Sequence, residues 1–522
     1  MSDAVPTTTQ APRPTRALRV IGLITLATCG LGIRIWLLGR SSAAMNSDEF
    51  FTGQQAMAIL EGDRPIIYRG IGYTAVIDSY LLAPIYWFAD APVTLLKLFN
   101  SPWWALTAIV SAFTARRSIS NTGVESKGLH IVIASLIWVT PGALMIVSTR
   151  SYEAYGLLLL GIAVTQYIAI RSIETAGTDR RWSYALGFTA GFTFFLHPMT
   201  LTAFVPMLIV ATLRARREIR TYWIPVTVGA VIANLGFLAW NIKNNWLSLA
   251  VPPANDSYAE RLPRIFTGLI PRAIGFMNLN GEWTLGAFSV VLYIVVLACA
   301  AIGVITLLRR GWHGAVIAVP ALLVWPMLAG LSSTWFVADG RYAIVGFPQL
   351  VIVTVFGLHA VARRLRSMLT NDSVRRTATA LPAAFAVIWI IAGGIFWLRA
   401  NAGPAVDDPN ARVRAVTELL ESENINYAAG NYWHVHPVEY LSGGDIHVAV
   451  AGHPWGAYLE WRPELPWGVM FPARQPEVAA QPDTEVAYIF DASDEKIGTL
   501  RMAPEAYTRH QIGSSIIYIP HR

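Results

Sequence analysis

The sequence predicts a polytopic α-helical membrane protein with about eleven transmembrane helices, outer juxtamembrane helices and a small C-terminal α/β domain outside the membrane. Three observations predict it. Hydrophobic residues make up 54% of the 522-residue chain and charged residues only 14%, whereas an ordinary globular chain carries about 25% charge. Apolar runs long enough to cross about 30 Å of hydrocarbon recur from residue 17 to residue 399. The 19 Trp, 19 Tyr and 21 Phe suit a membrane–water boundary, where amphipathic rings collect. A disordered, fibrous, disulfide-stapled or mainly cytosolic protein is excluded.

The first apolar run, 17–38, follows Arg13, Arg16 and Arg19 and exceeds the roughly 7–15 residues of a signal-peptide core. It reads as an uncleaved helix whose polar N-terminus, residues 1–16, is cytoplasmic. Further runs lie at 95–115, 128–147, 154–172, 183–196, 199–213, 222–241, 286–308, 313–332, 341–361 and 379–399. The run 73–89 decides the orientation. If it spans, Arg116, Arg117 and Lys127 fall outside and every later loop inverts. If it lies on the outer surface, Arg171, Arg180 and Arg181, the arginines of 214–220, Arg309 and Arg310, and those of 363–376 all face the cytoplasm. The positive-inside rule favours this second arrangement, with 73–89 as a juxtamembrane helix.

The transmembrane domain is then 17–399, with outer loops 39–94 and 242–285, and residues 400–522 form an outer domain of a plasma-membrane protein. The net charge of +7 is the cytoplasmic loop bias and points to no nucleic acid. Cys29 and Cys299 both fall inside apolar runs, which suggests neither a disulfide nor a zinc site. In the tail, strand-like runs at 425–429, 446–451, 486–490 and 516–519 alternate with charged, helix-compatible segments.

Asn46-Ser47-Asp48-Glu49-Phe50-Phe51 follows the first span. Ser47 can cap a helix, and two acids in a first turn suit its positive end. Phe50, Gln54, Met57 and Leu60 fall on one helical face, and Gly62 with Pro65 ends the element. The segment reads either as a surface helix with ordinary capping acids or as a carboxylate pair at the membrane surface, where low dielectric can tune a general base.

This stretch, with Ala56-Met57-Ala58-Ile59-Leu60-Glu61-Gly62 and Pro65 after it, resembles the first outer loop of the C-type membrane glycosyltransferases. The nearest branch is the bacterial one similar to protein O-mannosyltransferases and lipid A aminoarabinose transferases. Gly72-Tyr73-Thr74-Ala75-Val76-Ile77-Asp78-Ser79-Tyr80-Leu81 resembles that branch's juxtamembrane stretch, although several relatives have Gly-Ser where this chain has Ala75-Val76-Ile77. The likeness of order and spacing runs from about residue 18 to about residue 400. It implies a C-type transferase fold, a polyprenyl-phosphate sugar donor drawn from the membrane lipid, and a glycan, lipid or protein acceptor on the outer face. Tyr73 and Asp78 become candidate substrate-binding residues.

Other positions carry two readings each. Arg150 and Arg341 are single arginines in short outer loops, against the charge bias. Within Thr149-Arg150-Ser151-Tyr152-Glu153, Arg150 and Glu153 can pair with each other; the resemblance makes Glu153 a metal or acceptor ligand and Arg150 a phosphate contact, with Tyr152 beside them. His197-Pro198 breaks the stretch 183–213 and either satisfies freed backbone groups or walls the site. Asn241, in Trp240-Asn241-Ile242-Lys243, is a good helix C-terminal residue or a site residue. Asp339-Gly340-Arg341-Tyr342 forms either a turn pair or, by resemblance, a phosphate site, for which the arginine fork is suited. In Gly430-Asn431-Tyr432-Trp433-His434-Val435-His436 the two histidines are expected to share a strand face, with a structural or sugar-stacking role favoured over metal binding.

The favoured chemistry is an inverting transfer. Asp48, with Glu49 beside it, takes the acceptor's proton while cations stabilise the leaving lipid phosphate. Arg150 and Arg341 supply the cationic side, with Tyr342 beside them at the donor phosphate, or a divalent metal (Mg2+, Mn2+ or Ca2+) held by Asp48, Glu49 and Glu153 does. The chain shows no Rossmann fingerprint, in keeping with a lipid-linked donor. The rival is a transporter or lipid flippase, which calls for ionisable residues at mid-span and two related halves; here the acids cluster at the outer ends of spans.

Overall fold

The computed structural model describes residues 16–40, 47–68, 72–89, 92–120, 128–152, 154–249, 256–331, 340–402, 407–450, 477–478, 480–493, 495 and 497–521. Helix α1 (Arg16–Leu38) leads to α2 (Ser47–Leu60), whose first turn carries Asp48 and Glu49. α2 is not an exposed surface helix. Phe50, Phe51, Gly53, Gln55, Ala56 and Ile59 are all buried, because α3 (Ile77–Phe88) covers one side and the outer domain another. α3 buries Asp78, Ser79, Leu82, Ala83 and Tyr86, and turns Leu81, Ile85, Trp87 and Phe88 outward, the last 88% exposed. Twelve residues span only about 18 Å, well short of about 30 Å of hydrocarbon, and an outward face of Trp, Phe, Leu and Ile suits a helix lying in the interface.

Three apolar runs that each read as one helix are two. The run 95–115 is α4 (Val93–Leu98) and α5 (Ser101–Ser120), with Pro102 in the first turn of α5 where no N–H is needed. The run 128–147 is α6 (Leu129–Val139) and α7 (Ala143–Val147). Pro141 ends α6, and Gly142 follows at a φ of 76°. A Cβ on Gly142 would meet the backbone nitrogen of Gly275 at 2.1 Å, so only glycine lets these two loops touch. After α8 (Tyr155–Glu174), α9 (Arg180–Leu196) and α10 (Leu201–Arg214), the run 222–241 is α11 (Ile219–Ala233) and α12 (Leu235–Lys243). There Asn234 donates to the carbonyl of Ala230 at 2.9 Å, competing with the helical ladder.

The segment after α12 holds α13 (Tyr258–Arg264), capped by Ser257 and Glu260, a π-turn, and α14 (Ile270–Ala273). Then come α15 (Ala287–Leu308), α16 (Trp312–Leu331), a 3-10 turn at Arg341–Val345, α17 (Phe347–Met368), α18 (Asp372–Thr379) and α19 (Leu381–Ala400). Among the described residues four helices, α8, α15, α16 and α19, are long and apolar enough by themselves to cross a membrane. Pro198–Arg214 and Arg216–Ala233, bent by 82°, add a fifth if they are one broken span. α15 and α17 touch backbone to backbone: a Cβ on Gly303 would lie 1.8 Å from the carbonyl oxygen of Val353, and one on Gly357 equally close to that of Cys299. Small residues at such crossings are the membrane-protein solution to close packing.

The C-terminal domain consists of α20 (Ala411–Ser422), α21 (Tyr432–Leu441) and a five-stranded sheet. Its strands are β1 (Tyr427–Gly430), β2 (His447–Val450), β3 (Val486–Asp491), β4 (Tyr507–Ile512) and β5 (Ser515–Pro520), in the order β2-β1-β3-β5-β4. β2, β1 and β3 are parallel; β5 and β4 are antiparallel additions. Four strands match the sequence reading and β4, half polar, does not appear in it. The histidine segment is a correction. Asn431 caps α21 by accepting from Trp433 N–H at 2.9 Å, so His434 and His436 lie on a helix. Two residues apart on a helix they point away from each other.

Candidate active site

The first turn of α2 is where the buried charge gathers. Asp48 Oδ2 accepts from Arg341 Nη1 at 3.0 Å, with the two side chains 9% and 13% exposed. Arg341 comes from the 3-10 turn that opens after Gly340, whose φ is 74°. Its guanidinium also lies over the rings of Tyr152, at 5.4 Å, and Tyr342, at 5.0 Å. The backbone of Asp48 is fixed as well: Tyr68 Oη donates to its carbonyl at 2.9 Å. One turn on, Thr52 Oγ1 donates to the carbonyl of Ser151 at 2.8 Å, and Ser79 Oγ donates to the carbonyl of Thr52 at 3.0 Å. The carboxylate is thus set by α2, α3 and the loop at 148–152 together.

Arg150 enters from that loop. Its Nη1 donates to Tyr152 Oη at 2.5 Å, and its guanidinium lies 5.6 Å from the same ring. Tyr152 therefore contacts two cations. Tyr155 packs on Tyr152, Tyr342 and His197 at centroid distances of 5.9, 6.3 and 6.2 Å. Tyr73 meets His197 edge-on at 5.4 Å. His197 Nδ1 accepts from the N–H of Met199 at 3.0 Å. Burial, with Arg341 adding to it, pushes the His197 imidazole down to about 3, so the ring is neutral and its Nε2 carries the proton.

Glu49 faces another way. Both of its oxygens accept from Lys97 Nζ at 2.8 Å, and the pair is 0% and 2% exposed. Lys97 is a residue the sequence reading passes over; the available signal was a lone lysine inside the apolar run 95–115, which is costly unless paired. Asp78 sits in the first turn of α3 with both carboxylate oxygens buried and no well-formed hydrogen bond among the described residues. Burial pushes its carboxyl up to about 7, against the pull of the Ala154 amide.

Asn241 does not join this cluster. Its amide donates to the carbonyl of Phe237 at 2.9 Å and its oxygen accepts from Ser248 Oγ at 2.5 Å, closing the end of α12. Glu153 and Asp339 lie outside the described residues. Among the described residues no group of three His, Cys, Asp or Glu side chains converges on one point. Glu49 is neutralised by Lys97 and Asp48 by Arg341, so these two carboxylates do not form the donor set of a divalent cation in this arrangement. In the outer domain His434 Nε2 lies 3.2 Å from Asp491 Oδ2 and its Nδ1 3.2 Å from Ser515 Oγ, while His436 packs on Phe51 at 4.4 Å.

No family model matches the chain, and no curated protein matches it. Solved structures do. ArnT from Cupriavidus metallidurans, in the apo state, superimposes over 96% of this chain and 98% of its own, with a TM-score of 0.60 at 10% identity. The Archaeoglobus fulgidus oligosaccharyltransferase in the apo form covers 97% of this chain and 75% of its own, with a TM-score of 0.54 at 13% identity. The archaeal oligosaccharyltransferase AglB from the same organism, in complex with an inhibitory peptide and a dolichol-phosphate, has a TM-score of 0.51 at 13% identity over the same shares. The chain therefore shares the fold of ArnT and of the archaeal oligosaccharyltransferase.

Proposed function

We propose that the chain is a glycosyltransferase of the plasma membrane that moves one sugar from a polyprenyl-phosphate donor to an acceptor hydroxyl of a glycan, lipid or protein on the outer face. In this reading it crosses the membrane about eleven times, with a cytoplasmic N-terminus and an extracytoplasmic C-terminal domain. The observation that carries the reading is the Asp48–Arg341 pair walled by Tyr152, Tyr155 and Tyr342. It brings together a base and an anion receptor, the two groups that transfer from a lipid phosphate requires.

Asp48 takes the proton from the acceptor hydroxyl as that oxygen attacks the anomeric carbon with inversion. Arg341 and Arg150 receive the charge that develops on the leaving phosphate. A donor phosphate that draws Arg341 toward itself also frees the Asp48 carboxylate to take that proton. Neutral His197, with Tyr73, serves as a polar wall. Glu49 acts as the counter-ion of Lys97 and anchors α2. A divalent metal at Glu153 would add charge at the same phosphate, and no step here depends on it.

The test is mass spectrometry of outer-face glycans and glycolipids, and of the lipid-linked sugar pool, in cells carrying wild-type, Asp48→Asn or no protein. Accumulation of donor and loss of one product with Asp48→Asn supports the reading; full transfer by that variant overturns it.

A further inference from the structure

Among the described residues the C-terminal domain packs on the first two turns of α2 through α21. Several contacts join α21 to α2. His436, fully buried, packs its ring 4.4 Å from that of Phe51. Tyr440 packs 5.0 Å from Phe50. Gln54 Nε2 donates to the carbonyl of His436 at 3.0 Å and to Glu439 Oε2 at 2.9 Å. Gly53 completes the set: a Cβ there would lie 2.4 Å from the Tyr440 ring, so the ring rests directly on the α2 backbone. The Tyr440 hydroxyl is also 2.7 Å from that of Tyr86 on α3. One side chain of the outer domain thereby grips both helices that frame Asp48.

We propose that the C-terminal domain is a brace for the catalytic turn, with Tyr440 and His436 as positioning residues that hold Asp48 in register with Arg341. α2 has 14 residues, a length at which an isolated helix is marginal, so its placement comes from what packs against it. Phe51, the partner of His436, lies three positions after Asp48 on the same helical face, and a displacement of about 1 Å at a reacting group can cost about a hundredfold in rate. The influence of Tyr440 and His436 on the chemistry runs through α2. The inference rests on the reading of Asp48 as the base.

The experiment uses the full chain in lipid nanodiscs, with hydrogen–deuterium exchange of residues 47–60 read beside binding of undecaprenyl phosphate and product formation in cells. Tyr440→Ala and Gly53→Val are each expected to speed exchange in α2 about tenfold and lower transfer about tenfold or more, with exchange in α15 and α17 and the affinity for undecaprenyl phosphate held within about threefold. The double variant is the specific test: removing the ring vacates the space that the valine needs, so it recovers transfer relative to Gly53→Val alone, a non-additivity expected only of side chains in contact. Unchanged α2 exchange in Tyr440→Ala overturns the brace, and so does loss of lipid binding in step with transfer. If the wild-type protein transfers no sugar, the function reading fails, while the α2 exchange and the double variant's recovery of protection still decide the contact.

Discussion

Asp48 and Arg341, 293 residues apart in the chain, meet at 3.0 Å with both side chains nearly buried. The same arginine lies over Tyr152 and Tyr342. A base and an anion receptor in contact are mutually quenched until a competing anion separates them. Asp48→Asn is expected to lower transfer by about 10²–10⁴-fold with little change in polyprenyl phosphate binding. Arg341→Gln is expected to weaken that binding as well. Measuring lipid affinity and turnover for both variants separates the two roles, and equal effects on both quantities would count against the division.

The Glu49–Lys97 pair is predicted to govern stability. Removing one partner of a buried ion pair leaves the other charge uncompensated and costs about 3–5 kcal/mol. Lys97→Met and Glu49→Gln are each expected to lower the midpoint of thermal unfolding in detergent, and the double variant to regain part of the loss. Additive losses would show that the two side chains do not depend on each other.

Asp78 predicts a pH dependence with a definite sign. Its folded carboxyl is raised to about 7 from an unfolded value near 3.9, so the folded state holds the proton more tightly. Stability is highest in acid, falls as pH rises from about 4 to about 7, and is level beyond. Asp78→Asn is expected to flatten this slope and to raise the unfolding midpoint at pH 8 more than at pH 5. A midpoint difference that is the same at both values would contradict the burial of an unpaired carboxyl.

His197 predicts the opposite slope. A folded value pushed down to about 3 lies below the unfolded value near 6.5, so the unfolded state binds the proton more readily. Its contribution is lost as pH falls below about 6.5. His197→Asn is expected to keep an acceptor for the Met199 amide, to retain most transfer, and to shift acid unfolding to lower pH. Acid unfolding that is unmoved by this substitution would refute the assignment.

The glycine contact between α15 and α17 predicts a purely structural loss. Gly303→Ala places a methyl 1.8 Å from the Val353 carbonyl oxygen, and overpacking of this kind costs about 1–3 kcal/mol. The expected result is a lower unfolding midpoint with unchanged lipid affinity in the folded fraction.

Much of this was legible in the sequence where the signal is local. Composition marked a membrane chain, and hydropathy located α8, α15, α16 and α19 to within a few residues. Asp48, Arg150 and Arg341 stood out because charge at the outer end of a span is costly and needs a reason. Hydropathy does not see helix breaks, so the runs at Asn100, Pro141 and Asn234 read as single helices although side-chain competition and proline divide them. The histidine pair read as strand because Asn431, a capping residue, lay inside an apolar stretch that also suited a strand.

The sequence by itself determined the membrane class, the outer acidic turn and the arginines that answer it, since burial costs and charge bias act on each residue where it stands. Only the tertiary structure decided which charge meets which. It gave Asp48 to Arg341, Glu49 to Lys97 and Phe51 to His436, and among the described residues left the Asp78 carboxylate without an ionic partner, because ion pairs and ring contacts depend on distances between segments far apart in the chain, and one chain's order does not encode those distances locally.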